Sequence, residues 1–293
     1  MPEFDQQMNT QQFQEWLQTR AHKSAQVNQA RPLLMGILNI TTDSFFDGGK
    51  FIAPERALSH ARELINQGAD IIDIGGESSR PGALPISVDE ELNRVIPIIE
   101  AVVAESDICL SIDSCKTAVM EAALSAGAFM VNDISGLASD GAMHLLACVQ
   151  RPVCLMHMQG IPTTMQENPS YQRHVIDEIN HFFSERINAC LLMGIKRENL
   201  ILDPGFGFGK TIEHNLTIVK NLRQFAVHQL PLLLGVSRKS TIGKLLNKPV
   251  SERLFGSIAL TVVAALQNAA IIRTHDVDET LQALQMIEAM NAI

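Results

Sequence analysis

Along this chain, apolar runs of strand length finish repeatedly in side chains able to bind or react. Asn39, Thr41 and Asp43 follow the first run, Asp73 and Glu77 the second, Asp113 and Ser114 the third. Asn132 with Asp133, then His157, then Asp203, close the next three. Ser237, Arg238 and Lys239 follow the seventh, and Arg273 and His275 lie in the eighth. One Asp at a strand end can be a satisfied structural group. The same residue types at the same end of nearly every strand point to a shared site, because Asp is rarely buried by accident.

The set has a definite chemistry. Asp73, Asp113, Asn132 and Asp203 offer acceptors and one amide. A carboxylate takes two parallel N–H bonds, so it suits a ligand edge with adjacent amino and ring N–H donors. A 2-amino-4-oxo pyrimidine ring, as in guanine or a pterin, has that edge. Lys239, Arg273 and His275 are read as cations suited to phosphate or pyrophosphate. The picture is a cavity with an amino-heterocycle at its base and an oxyanion at its rim. A salt bridge to a neighbouring Asp is the alternative for Arg273. The stretch GFGFGKT at 205–211 imitates a P-loop, but the glycine that motif requires falls on Pro204. It also fails GxGxxG, since Lys210 stands where the third glycine belongs. The loops TTDSFFDGGKF and ESSRPGALPIS read either as surface turns or as lids over the site.

Positioning these residues requires the apolar runs themselves. They cover 33–40, 69–76, 108–114, 129–135, 152–158, 200–205, 231–237 and 270–276. Helical periodicity fills the intervals, for example at 54–67, 88–104, 172–193 and 251–267. Gly68, Gly127 and Gly194 stand where a left-handed helix end is wanted. The runs are apolar without alternation, as in parallel strands covered on both faces. Eight such units predict an α/β fold, a (β/α)₈ TIM barrel, whose chemistry sits at the carboxyl ends of the strands. An open doubly wound sheet is the rival. Residues 1–31 read as an N-terminal extension to a domain at 32–293. In it Phe13, Trp16 and Leu17 recur at helical spacing after a possible cap at Asn9/Thr10, as in a short helix packed on the barrel bottom.

Composition bounds the rest. The chain has 293 residues, 46% of them hydrophobic, enough for a large core, and a formal net charge of −9, against a general nucleic-acid footprint. Five cysteines with no CxxC and no metal spacing read as reduced thiols packed in a core. The Gln-rich start has no basic region followed by an apolar core, and no apolar run approaches about 18 residues. A soluble, cytoplasmic protein is expected.

Seven motifs carry a resemblance: MGILNITTDSFFDGGKF, IIDIGGESSRPGA, SIDSCK, VNDIS, LILDPGFGFGK, GVSRKS and IRTHDV. In this order, spanning 33 to 277, the chain resembles the dihydropteroate synthases, the bacterial pterin-binding (β/α)₈ family. The resemblance implies condensation of 6-hydroxymethyl-7,8-dihydropterin pyrophosphate with p-aminobenzoate to 7,8-dihydropteroate and pyrophosphate, in folate biosynthesis, with Mg²⁺. It also implies roles. Asp113, Asn132, Asp203 and Lys239 resemble the pterin pocket, with Asp73 and Met156 beside them. Asn39 matches the magnesium-contacting residue, and Arg273 and His275 the pyrophosphate anchors. Phe45 and Asp47 fall in the first mobile loop, Ser79, Arg80 and Pro81 in the second, and Phe208 and Ser240 complete the p-aminobenzoate pocket. A homodimer is implied as well. Thr42 stands where the family usually has Pro, and Ser79 where it usually has Thr. The retained second loop implies a sulfonamide target.

The implied chemistry is departure of pyrophosphate in an SN1-like step, aided by magnesium, Arg273 and His275, with Asp47 beside the cationic carbon and Lys239 in the catalytic set. Two rivals remain at this level. A methyltetrahydrofolate-binding methyltransferase domain has a similar barrel, but it lacks a pyrophosphate anchor and normally neighbours a corrinoid module. A non-catalytic pterin-binding protein is the other.

Overall fold

A computed structural model describes residues 8–22, 31–40, 52–80 and 82–291. Eight strands are present: β1 (Leu33–Asn39), β2 (Ile71–Gly75), β3 (Cys109–Asp113), β4 (Met130–Asp133), β5 (Val153–Met156), β6 (Leu200–Asp203), β7 (Leu233–Leu234) and β8 (Ile271–Thr274). All pair in parallel, in the order β6-β5-β4-β3-β2-β1-β8-β7. The two ends of that sheet meet through a parallel bridge between Leu202 and Leu232, with the Leu202 N–H donating to Pro231 O at 3.0 Å. That closes the barrel and rules out the open sheet.

Ten α-helices are described. Helix α1 (Thr10–His22) precedes the barrel. Around it run α2 (Ile52–Asn66), α3 (Val88–Glu105), α4 (Thr117–Ala126), α5 (Ala142–Val149), α6 (Val175–Met193), α7 (Ile212–Lys220), α8 (Ser240–Leu246), α9 (Leu254–Leu266) and α10 (Val277–Asn291). Local chemistry sets their ends. Ser87 Oγ accepts from the Glu90 N–H at 3.1 Å to start α3. Thr211 and His214 satisfy each other's backbone N–H groups at the start of α7. The three glycines predicted to end helices all have positive φ: 94° at Gly68, 116° at Gly127 and 98° at Gly194. Helix α9 begins three residues later than periodicity suggests, because 250–252 forms a tight 3₁₀ turn after Pro249.

Burial without alternation conceals an alternation of facing. Residues such as Leu34, Ile72, Ile74, Leu110 and Ile112 face outward and join the helices in one large core. Leu33, Met35, Ile71, Cys109, Met130, Cys154, Ile201, Leu233 and Ile271 form a separate apolar cluster inside the barrel. Phe13 and Leu17 of α1 belong to that inner cluster, at 0% and 2% exposure. Phe13 stacks on Trp16 and meets Phe129 edge-on. Asn9 and Gln12 cap α1 reciprocally, Asn9 Oδ1 accepting at 2.9 Å and Gln12 Oε1 at 2.8 Å. Beside this floor, Asp70 accepts two bonds from Arg31 and one from the Leu34 N–H. The bottom is thereby closed to water, and the barrel opens at its other end.

Of the five free thiols, Cys109, Cys154 and Cys190 are buried as the sequence suggests; Cys115 is half-buried and Cys148 is exposed on short α5. Among the described residues, no helix is long and apolar enough to cross a membrane. Because Phe13 fills the barrel floor, Phe13→Ala should lower the free energy of unfolding by about 3 kcal/mol, as large-to-small changes in well-packed cores do. Denaturant unfolding measures it; a loss below about 1 kcal/mol would mean that the floor is complete without α1.

Candidate active site

Side chains on a strand alternate between faces, so the residue two beyond each floor residue again points inward. Two beyond Ile71, Met130, Cys154, Ile201 and Ile271 stand Asp73, Asn132, Met156, Asp203 and Arg273. One floor layer therefore determines the polar layer above it, and Asp113 and Asn39 extend it toward the mouth. Register agrees: Asn39 is opposite Gly75, Gly75 opposite Asp113, and Asp113 opposite Asn132.

At the centre is an ion cluster. Arg273 Nε donates to Asp73 Oδ2 at 2.6 Å, and a terminal nitrogen donates to Asp113 Oδ2 at 2.7 Å. Asn132 Nδ2 also donates to Asp73 Oδ2, at 3.0 Å. The other oxygen of Asp73 is buried with no hydrogen-bond partner. The protein's own donors leave that acceptor over, where buried polar atoms are nearly always paired. The alternative reading of Arg273 is the one observed: it is salt-bridged to neighbouring Asp residues. It does not stand opposite the acids at the rim. It threads between two of them, because a charge at that depth is tolerable only when paired.

Among the described residues, other predicted side chains lie at the same carboxyl end of the strands. Lys239 places its ammonium 4.0 Å from the centroid of the Phe208 ring. Phe208 packs with Met156, Ile134 and Met165 in a small apolar cluster that makes one wall. Asp203 is buried, its Oδ1 accepting from the Gly205 N–H at 2.7 Å. Ser240 is exposed at the first turn of α8. Ser79 is half-buried and Arg80 exposed, in the β2–α3 loop. Asn39 is half-buried at the end of β1. Phe45, Asp47 and Pro81 lie outside the described residues, as does Thr42.

Charge states depart from the sequence reading in one respect. Burial raises Asp113 and Asp203 above the ordinary carboxylate range; Arg273 opposes the shift at Asp113, and the Gly205 N–H opposes it at Asp203. Burial and the neighbouring Arg273 lower Lys239. His275 is not a cation: burial, Arg273 and Arg238 push it down to about 3. It is a neutral ring with Nδ1 at 3.0 Å from Ser237 Oγ, and Ser237 Oγ accepts from the His275 backbone N–H at 3.2 Å.

Several strand-end residues prove to be scaffolding. Asp133 accepts from the Ser135 N–H, the Ser135 hydroxyl and the Leu137 N–H, stabilising the turn after β4. Lys210, from the false P-loop, is buried and donates to His157 O at 3.2 Å and Phe208 O at 3.0 Å, with His157 Nδ1 also at 3.0 Å. Burial brings this lysine down to about 7, while burial and Lys210 bring His157 to about 2. The pair locks the loop after β6 against β5. Its only sequence signal lay inside the decoy motif. Lys116, which bridges Glu77 and Glu91, has no local sequence signal either; Glu91 looks like any acidic first-turn residue until its burial is seen.

The family described as "Pterin binding enzyme" matches residues 35–275. A dihydropteroate synthase of Escherichia coli is 51% identical over 260 residues, covering 89% of this chain and 92% of that relative. The chain belongs to the dihydropteroate synthase family. A synthase of Haemophilus influenzae is 46% identical over 88% of the chain and 94% of its own length. The solved Yersinia pestis dihydropteroate synthase, in a sulfonamide drug complex, superposes with a TM-score of 0.86 at 47% identity, over 91% of this chain and 96% of that one. The Xanthomonas albilineans synthase in complex with 7,8-dihydropteroate gives 0.83 at 40% identity, over the same shares of the two chains. The (β/α)₈ class and a transferase activity therefore hold, and the methyltransferase and non-catalytic readings are set aside.

The buried ion cluster makes a prediction with a definite sign. Arg273→Met leaves Asp113 without its counter-charge, so its carboxyl rises further above the unfolded value. A carboxyl raised on folding costs stability when ionised, and protonation at lower pH removes that cost. The variant should lose about 3–5 kcal/mol near pH 8 and recover part of it towards pH 5. Unfolding measured across that range checks it; a loss independent of pH would contradict the assignment.

Proposed function

We propose that this chain joins 6-hydroxymethyl-7,8-dihydropterin pyrophosphate to p-aminobenzoate, forming 7,8-dihydropteroate and releasing pyrophosphate. The observation that carries it is the unspent oxygen of buried Asp73, set among Asp113, Asn132 and Asp203 beside the Met156/Phe208 wall. A flat ring with amino and ring N–H donors on one edge matches those acceptors, and its face matches the wall. Lys239 supplies a cationic donor to the ring's oxo or nitrogen acceptors. Solved synthases holding 4-aminobenzoic acid and 7,8-dihydropteroate support the same ligand classes here.

In the reaction the methylene C–O bond breaks and its electron pair leaves on pyrophosphate. The arylamine nitrogen then bonds to that carbon and gives up a proton. The route is SN1-like: the pterin ring shares the positive charge, and Asp47 is assigned to stabilise it. Arg273 keeps N–H groups beyond those given to Asp73 and Asp113, and with His275 donating as a neutral ring it holds the departing oxyanion. Phe45, Ser79, Arg80 and Pro81 are assigned to the substrate-binding set. Phe208 and Ser240 frame p-aminobenzoate.

Magnesium fits this donor set. Among the described residues, no group of three or more His, Cys, Asp or Glu could hold a metal. Mg²⁺ commonly needs only one protein oxygen when substrate phosphates and water complete its shell. The Asn39 side-chain oxygen, at the mouth beside Gly75, would supply it. When bound, the ion neutralises charge on the leaving pyrophosphate.

Two further assignments belong with this reading. Unpaired thiols suit the cytoplasm. Exposed Leu245, Leu246, Val250, Phe255, Val263 and Leu266, on the adjoining α8–α9 region, form an apolar face suited to a second copy of the chain. Phe255 is 84% exposed and central to that proposal.

Pyrophosphate release by the purified protein should require p-aminobenzoate, and a sulfonamide should inhibit it in competition with p-aminobenzoate. Release unchanged by omitting the arylamine would sink the reaction; indifference to sulfonamide at competing concentrations would sink the pocket assignment. Light scattering after size-exclusion chromatography should find a dimer that Phe255→Asp converts to monomer. A monomeric parent protein would remove that assignment.

A further inference from the structure

Outside the pterin layer, a second charge arrangement, built on the buried carboxylate of Glu91, lies at the root of the β2–α3 loop. Lys116 Nζ donates to Glu77 Oε2 at 2.6 Å and to Glu91 Oε2 at 2.5 Å. Each member belongs to a different element. Glu77 stands two residues beyond β2, Lys116 caps α4 just after β3, and Glu91 lies in the first turn of α3. Glu91 is 1% exposed, and its Oε1 has no partner. A carboxylate so placed depends on its cation, because breaking a buried pair costs far more than an exposed one returns.

The bridge acts on the loop through Glu77. Its Oε2 also accepts from the Ile86 N–H at 2.9 Å, which ties the two ends of 77–86 together. Ser79 and Arg80 lie within that ring. Gly76 allows the close approach: a Cβ there would meet Val95 Cγ1 at 2.8 Å and Glu91 Cγ at 3.0 Å. Arg94 adds a bond to Gly76 O at 2.8 Å. The root of the loop is thus held to α3 and α4, while Gly82 N–H meets Pro162 O across the mouth at 3.3 Å.

We propose that Lys116 is a positioning residue for the arylamine half of the site, fixing through Glu77 and Glu91 the loop that presents Ser79 and Arg80. The inference rests on the reading of that loop as the p-aminobenzoate side, so its test includes a separate probe of the reading. Lys116 Nζ bonds Glu77 and Glu91 and no side chain of the pterin layer; Glu91 acts on Asp113 through its charge, so Glu77→Gln, which keeps the Lys116–Glu91 pair, separates the loop effect from the pterin layer.

The experiment uses the full chain and its Lys116→Met, Lys116→Arg, Glu77→Gln and Arg80→Ala variants. KM is measured for each substrate with the other saturating, and amide exchange is followed at Ile86. Lys116→Met and Glu77→Gln should raise KM for p-aminobenzoate about tenfold and leave the pterin KM within about twofold, a loss of the size small misplacements cause. Exchange at Ile86 should quicken in both, and Lys116→Arg should restore most of the effect. If Lys116→Met does not fold, Glu77→Gln carries the test, since it keeps the Lys116–Glu91 pair. Both KM values shifting alike, or neither shifting, overturns the inference while Arg80→Ala still raises the arylamine KM. An Arg80→Ala protein with unchanged arylamine KM instead overturns the loop reading, and the inference falls with it.

Discussion

The guanidinium of Arg273, held between Asp73 and Asp113 inside a closed barrel, is the interaction on which the site depends. Charges at this depth are expensive alone and tolerable together. The arrangement therefore requires strands β2, β3 and β8 to be in register, and it leaves one Asp73 oxygen without a partner. The cluster is thus one hydrogen bond short of complete from the protein's own donors.

Beneath the cluster, an apolar floor makes those electrostatics possible. Water entering from below would hydrate Asp73 and weaken its pull on Arg273. Phe13 and Leu17 prevent this from a helix that precedes the barrel. The same floor layer, by the two-residue alternation of a strand, decides which residues face the ligand. Packing at the closed end thus sets the chemistry of the open end.

Charge at the mouth is graded by burial. His275 is kept neutral, Lys239 is lowered beside Arg273, and Lys210 donates hydrogen bonds to the carbonyls of His157 after β5 and Phe208 after β6. Arg273 is raised, since its two carboxylates together outweigh desolvation. The cationic side is consequently narrower than a count of Lys, Arg and His suggests. Loop positioning falls to other ion pairs, with Arg238 on Asp276 beyond β8 and Lys116 on Glu77 and Glu91 beyond β3.

The sequence alone determined the strand–helix alternation, the eight-fold count and the end of the strands where polar residues collect, because these follow from periodicity and turn chemistry. Its ordered motifs also determined the family. It left three things to the fold. Closure waited on the Leu202–Leu232 bridge, since periodicity is the same in open and closed sheets. Partners for Arg273 waited on residues 160 and 200 positions away, a pairing no local pattern encodes. The charge of His275 and the burial of Glu91 and Lys210 waited on the surrounding dielectric, which exists only once helices and strands have packed together.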